Sequence, residues 1–342
     1  MTIIQNIAYT TPLLGAIRIG HVEERNGKRI PQKDDHFTVT QLHKQGNAWV
    51  KHDLHDRLVQ ESGSTDKKLR SIPVKVIYSN ADLNASERFE AYDRAQKRLV
   101  CAGDGVNAKQ ADLGTGKVIE TECAGPAHCV WLRGQKQTTT CGIFGRAIVK
   151  VEGQEDEFGG FILRYGSYNG TVSLRSRLVG LQSLFGDKLP HIPLTLNLMS
   201  KSSAMSMNSV FYFADLRVNG DPLQLAVVAN EQVQAYANAG INYAEFEIKM
   251  KALRDNGRFE TDPNETFDDR EEFLGESEVV VFNGDGSVQE LQGNAGATEQ
   301  IRIKPFITKP RPRAGSALAG GLEEFVSAGV TPVNGSTQAI PS

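Results

Sequence analysis

The chain has 342 residues, 39% of them hydrophobic, four cysteines and a net charge of −3. That length can bury a substantial core as one large domain or two ordinary ones, so no cross-link is required for folding. The charge excludes a protein built wholly around nucleic-acid phosphates and leaves local basic patches to be read segment by segment.

The opening MTIIQNIAYTTPLLGAIRIG has no basic stretch followed by an apolar run, so neither an export signal nor a membrane span is expected there. A cytoplasmic location follows as the expectation. IRIGHVEERNGKRIPQ places Asn26-Gly27 between two short runs, a strong local hairpin signal. HFTVTQL alternates only approximately, and Gly46-Asn47 then turns the chain into AWVKH. KHDLHD packs His52, Asp53, His55 and Asp56 together; on a helix the two histidines share a face and could bind an ion, but no third ligand is identifiable, and a solvated polar helix is the better reading. After the polar segment ESGSTDKK, read as mobile, the run IPVKVIYS reads as strand. In RFEAYDRAQKRLVCAG, Phe89 and Ala91, then Leu99 and Cys101, fit two strands around the turn DRAQ, which delivers Cys101 from a strand end.

All four thiols fall in one window: Cys101, twenty-one intervening residues, Cys123, five residues, Cys129, eleven residues, Cys141. Structural disulfides are disfavoured in reducing compartments, where clustered cysteines more often bind metal or do redox chemistry. A tetrahedral zinc site needs four soft ligands about 2.3 Å from one ion. The Cys123–Cys129 loop is wider than a standard knuckle, but Gly125 and Pro126 permit a sharp reversal, and Gly103 and Gly142 allow backbone amides to approach thiolates. A structural four-cysteine zinc site is the leading reading; His128 replacing one sulfur, and four reduced, unbonded thiols, stay open beside it. Four thiolates would close the coordination shell, so such a site is a fold staple and not a catalyst.

Beyond the cysteines, RAIVKVEG, GGFILRYGSYNGTVSL and HIPLTLNLMSK read as β-rich, and SVFYFADLRVNGDPLQLAVV repeats the hairpin signature at Asn219-Gly220. Between them SLRSRLVGLQSLFG sets Leu174, Leu178, Leu181 and Leu184 at helical spacing. Arg175 and Arg177, with Arg164, Tyr165 and Tyr168 upstream, form a candidate basic and aromatic surface for phosphate or a protein partner, against the plainer reading of solvated charge. Residues 254–276 carry nine acids against three arginines and read as a solvated loop or surface helix, and from 301 to 313 the sign reverses with Arg302, Lys304, Lys309, Arg311 and Arg313. The domain reading is therefore a β-rich body over 1–300 and a basic linker with a disordered tail over 301–342. No nucleotide-binding loop is present, since GDGVNAK lacks the glycine spacing, and no serine has a convincing histidine or acid partner for a hydrolase triad. The fold class expected is α+β and β-rich: antiparallel hairpins, a zinc-knuckle insertion and a few helices.

The segments GAIRIGHVEERNGKRIPQKDDHFTVT, YDRAQKRLVCAGDG and ECAGPAHC, then GRAIVKVEG after Cys141 and FILRYGSYNGTVSLRSRL, together resemble the phage recombination directionality factor-like family over about residues 15–215. Proteins of that family accompany large serine integrases. The resemblance implies a metal-binding knuckle formed by Cys101, Cys123, Cys129 and Cys141. It also implies a non-catalytic protein of a phage or mobile element that binds an integrase and favours excision over integration. A zinc-containing DNA-binding accessory protein is the alternative, and a metal-dependent hydrolase using His36, His52 or His55 is the third reading.

Overall fold

A computed structural model describes residues 3–5, 7–25, 28–93, 97–112, 114–133, 139–202, 210–257, 269, 278–282 and 288–292. The tail assigned to 301–342 and its basic segment lie outside the described residues. Each turn signal in the N-terminal third reverses the chain where expected. Strand β1 (Leu13–Arg25) pairs antiparallel with β2 (Lys28–Gln45), with Arg25 opposite Lys28; Asn26 and Gly27 themselves lie outside the described residues. Strand β2 pairs in turn with β3 (Ala48–Lys51), and Gly46 takes the positive φ of 64° that this tight reversal requires.

Helix α1 (Asp53–Glu61) follows, with His52 as its cap. The ESGSTDKK segment read as mobile is ordered instead: Ser64 Oγ and Arg70 both donate to Asp66, and Lys68 and Arg70 donate to Asp35. Strand β4 (Ser71–Val76) buries Ile72, Val74 and Val76 by strict alternation. A short helix α2 (Ala81–Asn84) leads into β5 (Ala85–Asp93), which forms the expected hairpin with β6 (Arg98–Gly103). Strands β7 (Asn107–Ala111) and β8 (Val118–Glu122) extend the sheet. Two four-residue helices, α3 (Gly125–His128) and α4 (Val130–Arg133), precede the long strand β9 (Thr139–Val151).

Strand β10 (Gly160–Tyr165) pairs antiparallel with β9 and parallel with β1, so the sheet is mixed, not purely antiparallel. Helix α5 (Tyr168–Phe185) is capped by Ser167 and followed by a 3-10 turn, Gly186–His191. Strands β11 (Leu194–Lys201) and β12 (Phe211–Val218) complete a twelve-stranded sheet, β11 also pairing with β4. The path runs β3-β2-β1-β10-β9-β5-β6-β7-β8, with β4, β11 and β12 branching from β9. The fold is thus β-rich α+β.

The hairpin read at Asn219-Gly220 is corrected. Asp221 accepts the Gln224 amide at 3.2 Å and Pro222 occupies the first turn, so helix α6 (Pro222–Asn238) starts there. An acidic cap followed by proline is a helix start, and it overrides the two-residue turn signal. Helix α7 (Tyr243–Asp255) returns to the body: Ser79 Oγ donates to Glu247 at 2.7 Å and Phe246 stacks on Tyr78. Two further strands, β13 (Glu278–Phe282) and β14 (Val288–Gln292), pair with each other.

The apolar core sits on one face of the sheet. Leu174, Leu178 and Leu181 of α5 point into it with Phe185, whereas Leu184 is 64% exposed, so the fourth expected leucine contact is made by the next residue. Phe161 and Leu163 of β10, Ile17 of β1 and Leu54 and Leu58 of α1 share that cluster. The opposite face of the central strands carries the charged residues Arg18, Arg164, Arg146 and Glu90, all buried.

Candidate metal centre

Three strands bring two of the cysteines together before any loop is considered. Ala91 of β5 pairs with Cys101 of β6 on one side and with Cys141 of β9 on the other. Directly paired residues share a face, so both thiols stand on the same side, separated by a single methyl group. Gly103, two residues after Cys101, lies under Cys123: a Cβ at Gly103 would stand 2.6 Å from the Cys123 sulfur. Cys123 is held there by its own amide, which donates to the Val106 carbonyl at 2.8 Å.

Gly125 then takes φ +71° and reverses the chain through α3, returning Cys129. The Leu132 amide donates to the Cys129 sulfur at 3.4 Å, orienting that thiol. All four cysteines line one cavity of about 230 Å³, roofed by residues 121–132 and floored by Phe89, Ala91, Ala108 and Gln110.

The thiols are unbonded and partly buried. Burial, then the neighbouring Cys123 and Cys129, pushes the Cys101 thiol up to about 11. Deeper burial and the other three cysteines push Cys141 up as well. A bound cation reverses that direction, because thiolate ligands are stabilised by its charge. The donor set is therefore chemically suited to a soft ion. Among the described residues, however, no three or more Cys, His, Asp or Glu side chains stand at the spacing that holds a metal. His128 lines the same cavity from an exposed position.

The residues read as a joint basic and aromatic surface are dispersed. Arg164 and Tyr165 lie inside, 6% and 5% exposed, so neither presents a face to a partner. Arg164 Nη1 lies 3.3 Å from Asp269, an acid of the stretch expected to be solvated. Tyr165 lays its ring across Gly145, where any Cβ would collide with it, and donates its hydroxyl to Glu87 at 2.5 Å; burial raises its pKa well above the ordinary value. Arg175 is half-buried, donating to Glu87 and to Asp82 at 2.7 Å. Arg177 pairs with Asp215 at 3.2 Å but stays 46% exposed, and Tyr168 is 44% exposed. Only these last two remain on the outside.

The histidine pair of α1 has two structural tasks. His52 Nδ1 accepts the Leu54 amide and its ring packs edge-on against Phe161, while buried His55 accepts the Val39 amide through Nδ1. Burial is the first cause lowering both pKa values. His36 contacts Asp35 within the Lys68–Arg70 network. None of the three is arranged with the others as a metal site.

The fold just described can be set beside known families. The model of the recombination directionality factor-like (Gp3-like) family matches residues 14–219, more than half of the chain. The chain belongs to that recombination directionality factor-like family. No curated protein and no solved structure matches it. The family region begins in β1 and ends just after β12. It contains the four cysteines and α5, while α6, α7 and Asp269 lie beyond it. No helix among the described residues is long and apolar enough to cross a membrane.

Sequence reasoning missed Glu87, Glu90 and Asp269, which bind the arginines. No local signal could have found Glu87, which falls opposite Gly145 and beside Tyr165 only once strand order is known.

Proposed function

We propose that the protein is a non-catalytic recombination directionality factor of a phage or mobile element, binding a serine integrase in the cytoplasm so that excision is favoured over integration. The family match over residues 14–219 carries this reading. The protein would shift which synaptic complex is stable and would break no bond itself. A coupling of about 1–3 kcal/mol between sites changes such a bias by roughly five- to 150-fold.

Within that body, Cys101, Cys123, Cys129 and Cys141 close on one structural zinc. Its support is their convergence on a single cavity and the amide aimed at Cys129. When bound, the ion supplies a cross-link between the roof at 121–132 and the sheet beneath it. Tyr168 at the start of α5 and Arg177 in its middle, both exposed, are the retained candidates for the partner surface.

The test is a recombination assay with the cognate serine integrase. Adding the protein should promote recombination between the hybrid attachment sites and suppress the integrative reaction, and Arg177→Ala should weaken the switch. No change of direction at saturating protein would reject the role.

A further inference from the structure

Helices α6 and α7 follow one another in the chain and are both exposed, yet only one of them is built for water. Helix α7 buries no residue fully, and it carries the exposed i,i+4 ion pairs Glu245–Lys249 and Lys251–Asp255. Pairs of that kind are what a solvated helix face ordinarily shows. Helix α6 buries one residue fully, Ala229, but its seventeen residues include a single charge, Glu231.

Apolar side chains stand on both sides of α6. Leu225, Ala226 and Ala229 pack on the core, whereas Leu223, Val227 and Val228 are 73%, 55% and 53% exposed. Leu223 and Val227 are one turn apart and share a face. A helix that is apolar all round belongs in a buried setting, so the outward side of α6 is short of a cover. Nor can the helix roll to hide these residues. Asp221 caps its first turn, and near its end Tyr236 stacks on His191 at 5.2 Å and meets Tyr243 edge-on at 5.4 Å.

The chemistry of the outward side selects the occupant. Twelve of the thirteen exposed residues of α6 are uncharged, so nothing there attracts a phosphate backbone or a strongly basic or acidic protein. Its polar side chains are chiefly amides, Gln224, Asn230 and Gln234 among them. An amide carries both donor and acceptor, so the same group on a second copy can satisfy it. The surface is complementary to itself, which is what an interface across a twofold axis requires.

We propose that α6 is a homodimer interface, in which the Leu223, Val227 and Val228 side of one chain packs against the same side of a second copy. Thirteen residues a side is fewer than the roughly 20–30 of a standard interface, so the dimer should be weak, with Kd in the micromolar range. Because α6 begins beyond residue 219, self-association lies outside the matched family region and stands or falls apart from the integrase reading.

The experiment is sedimentation velocity on the full chain over about 1–100 µM, in reductant so that cysteine cross-links contribute nothing. Wild type should pass from monomer to dimer as concentration rises. Leu223→Glu and Val227→Glu should each weaken dimerisation at least about tenfold, because the introduced carboxylate would be buried without a partner. Neither should lower the thermal midpoint of the monomer, since both side chains are exposed. Ile248→Glu, which replaces the exposed apolar residue of α7, should leave the dimer unchanged. Wild type that stays monomeric at the top of the concentration range overturns the proposal. So does a dimer that survives both α6 substitutions, or one that Ile248→Glu disrupts as strongly. If wild type stays monomeric and Val227→Glu lowers its thermal midpoint, the cover is the rest of this chain and the dimer is rejected.

Discussion

At the end of the sheet formed by β4, β11 and β12, an eighteen-residue helix lays Leu174, Leu178, Leu181 and Phe185 onto a face that supplies Leu194, Leu196, Ala214 and Leu216. At the other end, over β5 to β8, the cover is residues 121–132, whose two four-residue helices bury no residue fully. The first end draws its order from apolar area withdrawn from water. The second has less of that area, and the four cysteines converge there on one cavity. The proposed zinc would supply at this end the cross-link that apolar burial makes unnecessary at the other.

The comparison breaks most visibly at α5. Leu178 is fully enclosed, so Leu178→Ala should cost about 2–5 kcal/mol, the range for a buried leucine truncation that leaves a cavity. Urea unfolding measures it. A loss below about 1 kcal/mol would mean that α5 is not what holds this end.

The cysteine end should fail locally. Purified protein should contain about one zinc per chain, the content of a single four-thiolate site. In Cys129→Ser, amide exchange at 118–133 should rise at least about tenfold through local opening while β4 and β11 stay protected. Absence of zinc from protein purified without chelator would sink the metal reading. Zinc retained by Cys129→Ser would bring His128 forward as the replacing ligand.

How much of this was legible follows the range of the interaction. Asn26-Gly27, Gly46-Asn47 and DRAQ were readable because a reversal is decided by neighbours. The α5 stripe was readable up to Leu181, then slipped by one residue, because Leu184 and Phe185 are both apolar and only the packed neighbour decides which is buried. Asn219-Gly220 misled because the deciding residues, Asp221 and Pro222, follow it. The confinement of the cysteines was visible, but the methyl of Ala91 between Cys101 and Cys141 depends on strand order. Arg164 was noticed for its charge and misplaced on the surface. Its partner Asp269 lies in an acidic stretch that nothing local connects to a buried arginine.

The apolar end also contains a titratable weak point, which separates it from the cysteine end by pH. His55 is buried beside Val39 and accepts that residue's amide through Nδ1, so the native state needs the ring neutral. Burial, then Lys51, lowers its pKa below the ordinary 6.5, while Asp56 opposes the shift. The unfolded chain therefore takes up the proton first as pH falls. The stability contribution is whole above 6.5 and is lost progressively as pH drops from there through the lowered native value. His52 and His191 are shifted in the same direction, again first by burial, so the wild type should lose stability over this window through all three. Urea midpoints measured on either side of 6.5 should fall less for His55→Asn, whose side-chain oxygen can accept the Val39 amide but takes up no proton. An equal fall in both proteins would show that His55 is not charged differently by folding, and that the apolar end owes none of its acid sensitivity to this ring.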